Sequence, residues 1–206
     1  MDEQNYTVWK IGAGKSDITA FIPGIVMLGY GNPSNTVHDI ETPLSARVFW
    51  FEDIFQNTFV YINLEICFIT QSIVDETLNK LKEKGFSLCE DQILFSAQHT
   101  HSAPSGYSHY ALYSLPTPGF SPEVLKTIVN GIVKAIIKAK DNLQEAQIFY
   151  KEHIVPLNID LAFNRSLKAY NRNHDVCEQL KKSQQNCGVD RRMRIFDIQA
   201  HDSEIG

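Results

Sequence analysis

Hydrophobic residues recur with strand periodicity in the first half of the chain. Residues 47–51 and 58–66 are rich in β-branched and aromatic side chains, which predicts two strands. The polar pair Gln56-Asn57 between them predicts a hairpin turn. A short apolar run that starts at Ile93 predicts a further, buried strand.

Two other segments show helical periodicity. Over residues 71–84 the apolar side chains fall on one stripe, and Thr70 or Ser72 can cap the start. A second helix is predicted to start at Ser121, a cap followed by proline in the first turn. Two more strands are predicted at residues 147–155 and 192–199.

The order strand, helix, strand between residues 58 and 97 predicts a βαβ unit with two parallel strands and a right-handed crossover. The fold class is therefore α/β, with a mixed sheet that contains this βαβ unit and helices packed on it. Parallel strands bring Glu65 and His99 to the same carboxyl edge, where open α/β folds bind ligands.

Composition narrows the class of protein. The chain has 206 residues, 43% of them hydrophobic, which is enough for one good-sized core or two small ones. A net charge of -5 argues against a nucleic-acid partner, which usually requires a basic surface. The sequence contains no apolar run of about 18 residues, so no transmembrane segment is predicted. The acidic, polar start has no signal-peptide character, so sequence alone predicts a cytoplasmic protein.

Three weaker patterns favour a structural role over a chemical one. Residues 11–19, IGAGKSDIT, do not form a phosphate loop, because Trp9 stands where the first glycine is required and no helix follows. Without any Cys-x-x-Cys pair, a cysteine zinc site is not expected, and Cys67 is predicted to be a buried thiol. Residues 171–188 are polar and predict an insertion or lid.

The strongest chemical signal is His99-Thr100-His101 at the end of the strand that starts at Ile93. Residues two apart on a strand face the same side, so both imidazoles are expected to face one pocket. Neutral imidazole is the commonest protein ligand for zinc, and a catalytic zinc needs about three protein ligands. The pair therefore favours a metal site over two unrelated histidines.

Other polar residues extend this prediction, each with a structural alternative. Glu65 near a strand end is either a hydrogen-bonding partner of a metal-ligating histidine or an edge-facing residue. Residues 27–33, MLGYGNP, form a glycine-rich turn that either borders the site or is a surface loop. Arg165 offers a planar fork for a carboxylate or amide oxygen, or else forms a surface salt bridge.

Several stretches in the same order resemble the neutral, non-lysosomal ceramidases. They are GAGKSDIT, LGYGNP, FVYINLEICFITQSI, QHTHSAPSGY, SPEVLKTIVNGIVKAI and FNRSLKAY, and they cover nearly the whole chain. The resemblance implies a zinc amidase that splits the N-acyl bond of ceramide into a sphingoid base and a fatty acid. It also implies a lipid substrate, contact with a membrane surface, and a secreted or membrane-associated protein.

The resemblance also implies roles for individual residues. His99 is expected to be a zinc ligand, and His101 to sit beside the zinc-activated water and the polar head of the substrate. Arg165 is expected to hold that head or the product carboxylate. Tyr30 and Tyr107, which belong to the glycine-rich and histidine motifs, are expected to bind substrate.

The resemblance covers only part of the family's site. A second zinc histidine, a glutamate, a tyrosine ligand and a serine are expected after the turn that ends at Gly206. Residues 1–206 are therefore expected to be the N-terminal part of a catalytic domain whose remaining part is its partner. Two alternatives are another His-x-His hydrolase of the amidohydrolase type and a truncated, non-enzymatic lipid-binding module.

Overall fold

The computed structural model of the protein describes residues 9–114, 117 and 119–200. It forms two compact units: one reaches to Ala146 and includes Ala200, and the other is Gln147–Gln199. No helix among the described residues has the length and apolar character needed to cross a membrane.

The predicted strands and helices are present with small shifts at their ends. The strands are β1 (Trp9–Asp17), β2 (Ser45–Glu52), β3 (Thr58–Leu64), β4 (Ile93–Ala97), β5 (Gln144–Ile154) and β6 (Arg192–Ala200). The helices are α1 (Gln71–Glu83), α2 (Ala111–Ser114), α3 (Pro122–Asp141) and α4 (Leu167–Tyr170), with 3-10 turns at Glu90–Gln92 and Lys182–Cys187.

The first unit contains a mixed sheet in the order β4-β3-β2-β1-β5. The pairs β1–β2, β2–β3 and β1–β5 are antiparallel, whereas β3 and β4 are parallel. Helix α1 connects β3 to β4, so the predicted βαβ unit and the α/β class are confirmed. Leu64 lies opposite Ala97, which places the ends of β3 and β4 side by side.

The ends of helix α1 follow from local sequence. The hydroxyl of Thr70 accepts the backbone N–H of Ile73, so Thr70 is the predicted N-cap. At the other end, Gly85 has φ +83, and the N–H groups of Gly85 and Phe86 donate to Lys82 and Leu81. Helix α3 differs from the prediction in one detail: Ser121 precedes Pro122, but its side chain makes no capping hydrogen bond.

The core of the first unit lies between the sheet and the helices α1 and α3. Strand β1 brings Gly12 and Gly14 directly beneath α3, where an added Cβ would lie 1.8 Å and 2.0 Å from the carbonyl oxygens of Ala139 and Ala135. The helix therefore rests on bare backbone, which explains why two glycines interrupt this strand. Fully buried core side chains include Val48, Val60, Ile62, Leu64, Ile73, Leu81, Ile128, Ile132 and Ile136.

The prediction that the strand starting at Ile93 is buried was wrong. Strand β4 is the edge strand of the sheet in the first unit, and its residues are half-buried or exposed, with Leu94 51% exposed. A short apolar run cannot by itself distinguish a central strand from an edge strand. The histidine motif therefore follows an edge strand and not a central strand of the sheet.

The second unit contains the rest of β5, its neighbour β6, and helix α4. Arg191 holds together the segment that follows β5 and the segment that precedes β6. Its side chain is 8% exposed and donates to the carbonyl oxygens of Val155, Pro156, Ile159 and Asn186. Within the predicted insertion, the side chain of Asn171 bonds both the N–H and the carbonyl of Leu180 at 2.9 Å. A role of residues 171–188 as a lid stays a prediction.

Candidate functional site

The histidine motif lies where the parallel strands end, as predicted. The N–H of Gln98 donates to the carbonyl of Leu64 at 3.0 Å, so the chain leaves β4 beside the end of β3. Residues 65–68 after β3 and residues 98–102 after β4 are thereby brought to one edge of the sheet.

His99 is held in the left-handed region of backbone conformation, with φ +60. Such a φ is uncommon for a residue with a side chain and terminates the strand geometry. The two imidazoles are nevertheless neighbours, with ring centroids 4.9 Å apart. The rings therefore lie together because a sharp loop turns them, and not because of strand alternation as predicted. That both imidazoles face one pocket stays a prediction.

One ring nitrogen of His99 is already engaged. Its Nδ1 lies 2.8 Å from the carbonyl oxygen of Cys67, and because a carbonyl can only accept, Nδ1 carries the hydrogen. The lone pair is therefore on Nε2, and the ring is fixed in the tautomer that metal-ligating histidines typically adopt. This donor arrangement fits a zinc ligand.

Cys67 itself is the third member of a cluster with His99 and His101, whose candidate ligand atoms lie within 4.8 Å of one another. Its sulfur lies 3.8 Å from Nδ1 of His99, the nitrogen that faces away from a cation at Nε2. Burial raises the pKa of the Cys67 thiol. The backbone carbonyl of Cys67 accepts the Nδ1–H of His99. Cys67 therefore orients His99 through its backbone.

His101 packs against the glycine-rich turn. The ring of Tyr30 meets the ring of His101 edge-on, with centroids 5.4 Å apart and an interplanar angle of 84°. Tyr30 is 54% exposed, so it can contact both His101 and a bound molecule. The loop of residues 27–33 thus borders the histidine pair, which was one of the two interpretations of its sequence.

Glu65 lies at the same edge but has other partners. Its carboxylate accepts the Arg47 guanidinium at 2.7 Å and the backbone N–H of Ser45 at 2.5 Å. Among the described residues, Glu65 forms no hydrogen bond with His99 or His101. Its contacts therefore agree with the alternative that Glu65 is an edge-facing residue and not a partner of a metal-ligating histidine. A cavity of about 750 Å³ lies beside Glu65, and its lining includes Gln98 and Thr100 but neither His99 nor His101.

Tyr107 occupies the interior and is 0% exposed. Its hydroxyl oxygen accepts the backbone N–H of Phe68 at 3.3 Å, and its ring contacts that of Phe68 at 5.7 Å. Burial raises the pKa of Tyr107, so the phenol stays neutral. Through these contacts with Phe68, Tyr107 supports the segment that carries Cys67. Direct contact of Tyr107 with a substrate stays a prediction.

Replacing Tyr107 separates these two roles. We expect Tyr107→Phe to lower the free energy of unfolding by about 1–3 kcal/mol, because the part-buried N–H of Phe68 loses its acceptor. Tyr110→Phe, at a 49% exposed tyrosine, is the control and should change stability by less than about 0.5 kcal/mol. Urea unfolding of both variants measures the difference, and an unchanged midpoint for Tyr107→Phe would contradict the supporting role.

Arg165 lies in the second unit and is exposed, on a turn built by its neighbour Asn164. The side chain of Asn164 donates to the carbonyl of Gly188 at 3.1 Å and accepts the N–H of Ser166 at 2.9 Å. Among the described residues, Arg165 forms no salt bridge, so the alternative of a surface ion pair has no support. Its role toward a substrate stays a prediction.

Comparison with known proteins decides the family. The family model described as neutral/alkaline non-lysosomal ceramidase, N-terminal, matches residues 9–206. The chain belongs to this ceramidase family. Neutral ceramidase B of Dictyostelium discoideum is 34% identical over 194 residues, and neutral ceramidase of Pseudomonas aeruginosa is 33% identical over 170 residues.

The fold agrees with that family. The crystal structure of neutral ceramidase from Pseudomonas aeruginosa superimposes with a TM-score of 0.85 at 30% identity, over 96% of this chain and 30% of that chain. The curated relatives are longer: the matches span 93% and 82% of this chain but only 26% and 25% of the Dictyostelium and Pseudomonas proteins. The chain thus corresponds to about a quarter of a full ceramidase.

Two contributors to the candidate site leave little or no signal in the sequence. The carbonyl of Cys67 acts through the backbone, which leaves no signature in the identity of the side chain. Gly29 contacts the His101 ring, and its only signal was its place in a glycine-rich turn. Both lie on segments that meet the histidine motif only in three dimensions.

Proposed function

We propose that the whole protein hydrolyses the N-acyl bond of ceramide or a related N-acyl lipid, with zinc as its cofactor, and releases a sphingoid base and a fatty acid. The observation that carries this proposal is His99, whose Nδ1–H is fixed on the Cys67 carbonyl, so that Nε2 holds the lone pair and has no hydrogen-bond partner in the described part of the chain. Membership of the ceramidase family supports the substrate class.

In this proposal His99 holds zinc through Nε2, and residues of the whole protein beyond this chain complete the ligand set. A zinc ion bound there supplies Lewis acidity toward the amide carbonyl and the attacking water. His99 contributes orientation as well as a lone pair, because the Cys67 hydrogen bond prevents the ring from turning about its χ2 bond.

His101 acts on the substrate in this proposal. Its half-buried ring lies beside the more exposed ring of His99, where it can donate a hydrogen bond to the oxygen on which negative charge develops. Tyr30 forms one wall beside this position. Arg165 provides a permanent positive charge that can hold the lipid head or the fatty-acid carboxylate.

The substrate class implies the partners. A ceramide is supplied from a lipid surface, so the whole protein is proposed to contact a membrane surface without spanning it. The remaining part of the catalytic domain is proposed to pack with this chain, because one family zinc ligand is fewer than the roughly three that a catalytic site requires.

An assay of fatty-acid release tests the proposal. We expect the whole protein to release labelled fatty acid from a ceramide in detergent micelles, to stop when a chelator removes metal, and to recover when zinc returns. The 206-residue chain alone is expected to release none. Undiminished turnover in metal-free protein would contradict the metal mechanism, and binding of ceramide without any release would favour a non-enzymatic lipid-binding module.

A further inference from the structure

We infer that Gly29 is a positioning residue for His101: its missing side chain leaves the space in which the imidazole lies, and this contact fixes the plane of the ring. This inference rests on the proposed role of His101 as the hydrogen-bond donor to the substrate. It assigns the orientation of that donor to the glycine-rich turn and not to strand β4, which ends at Ala97.

The contact is tight over the whole ring. A Cβ built on Gly29 would lie 2.8 Å from Cε1, 2.8 Å from Cγ and 2.8 Å from Nδ1 of His101. Equal distances to these three ring atoms place the built Cβ over the face of the imidazole, so the Gly29 backbone faces the flat side of the ring. Carbon atoms in contact are normally about 3.5–4.0 Å apart, so any side chain at position 29 displaces the ring.

The two segments are fixed to one another, so neither can retreat to relieve such a clash. The N–H of Leu28 donates to the carbonyl of Ala103 at 3.1 Å, and the N–H of Ser105 donates to that of Val26 at 3.0 Å. These bonds flank a short antiparallel bridge between Met27 and Pro104, two residues before Gly29 and three residues after His101. The ring must therefore move if position 29 gains a side chain.

Packing alone holds the His101 ring. Among the described residues, neither ring nitrogen of His101 forms a hydrogen bond, in contrast to Nδ1 of His99. The ring is bounded by the Gly29 backbone on its face, by the edge of Tyr30 and by the His99 ring. Both nitrogens thus remain free for a substrate, and their direction depends on the Gly29 contact.

A double-mutant cycle separates this contact from backbone strain. Gly29 has φ +108, so alanine there is strained as well as crowded, whereas Gly119 has φ +100 and no atom of the described residues lies within 4 Å of a Cβ built on it. In the 206-residue chain, we expect Gly29→Ala to lower Tm by at least about 2–4 °C more than Gly119→Ala does. In a His101→Ala background this excess should vanish, because the ring that the new methyl group meets is gone.

The cycle remains informative if Gly29→Ala does not fold, because His101→Ala should then restore folding to the double variant. An equal loss of Tm in both backgrounds, or a double variant that stays unfolded, would overturn the inference. Neither result depends on ceramide hydrolysis, so the inference can fail while the proposed function stands.

Activity provides a second readout that general destabilisation does not produce. In the whole protein at a temperature where both are folded, Gly29→Ala is expected to lower kcat by at least tenfold with KM little changed. Adding Gly29→Ala to His101→Ala should then cause no further loss. A further loss of similar size in the double variant would show that Gly29 acts independently of His101.

Discussion

His99→Ala in the whole protein is expected to abolish both zinc binding and amide hydrolysis, whereas His101→Ala is expected to retain zinc and lose about 10²–10³-fold in kcat. The reason lies in the different surroundings of the two rings. His99 has its Nδ1–H fixed on the Cys67 carbonyl and offers one oriented lone pair, while His101 is positioned only by packing. Zinc content per protein molecule and kcat, measured on the same preparations, test both parts.

Backbone conformation supplies the control for this experiment. His99 has φ +60, which asparagine tolerates better than alanine, so His99→Asn separates loss of the ligand from strain in the loop. We expect His99→Asn to keep the fold and still lose zinc. Equal zinc loss in His99 and His101 variants would mean that the two histidines bind as a pair, as in an amidohydrolase, and would contradict the division of roles.

The parts of the fold that the sequence predicted are those controlled by local pattern. Alternating and continuous apolar runs identify β2 and β3, and Thr70 and Gly85 mark both ends of α1 by satisfying its free backbone groups. Once strand, helix and strand follow one another, the helix can serve as a crossover connection, which predicts that β3 and β4 are parallel. The location of the histidine motif at the carboxyl edge follows from that topology alone.

The geometry of the site was not predictable in the same way. The left-handed φ of His99, the hydrogen bond to the Cys67 carbonyl and the contact of Gly29 with His101 all depend on how three loops meet. None of them changes the hydrophobic period of the chain. Burial of Tyr107 was not predictable either, because its neighbours in the histidine motif are polar and small, yet the side chain is fully buried.

The two glycines of β1 stand out in the sequence, but only the structure shows why they are there. The segment IGAGKS resembles a phosphate loop, and sequence spacing was sufficient to reject that interpretation but offered no replacement. The structure shows that Gly12 and Gly14 face α3 at a distance that excludes a Cβ. The spacing of two residues puts both glycines on one face of the strand.

Either glycine of this pair is therefore expected to be intolerant of even one methyl group. For Gly12→Ala, the new Cβ would lie 1.8 Å from the Ala139 carbonyl oxygen, which is helix backbone and cannot rotate away as a side chain can. The helix must move off the sheet, so we expect a loss of about 3 kcal/mol or more in the free energy of unfolding, at or above the usual range for overpacking. Urea unfolding and the soluble fraction on expression measure it.

Ala13→Val is the matched control, because Ala13 lies between the two glycines on the same strand and is exposed. Its side chain points to the opposite face, where a β-branched residue suits a strand, so the variant should unfold at nearly the parent urea concentration. An unchanged midpoint for Gly12→Ala would mean that α3 does not rest on β1 at this distance. Native domains are stable by only about 5–15 kcal/mol, so loss of this contact is expected to remove a large share of the stability that holds the histidine edge in place.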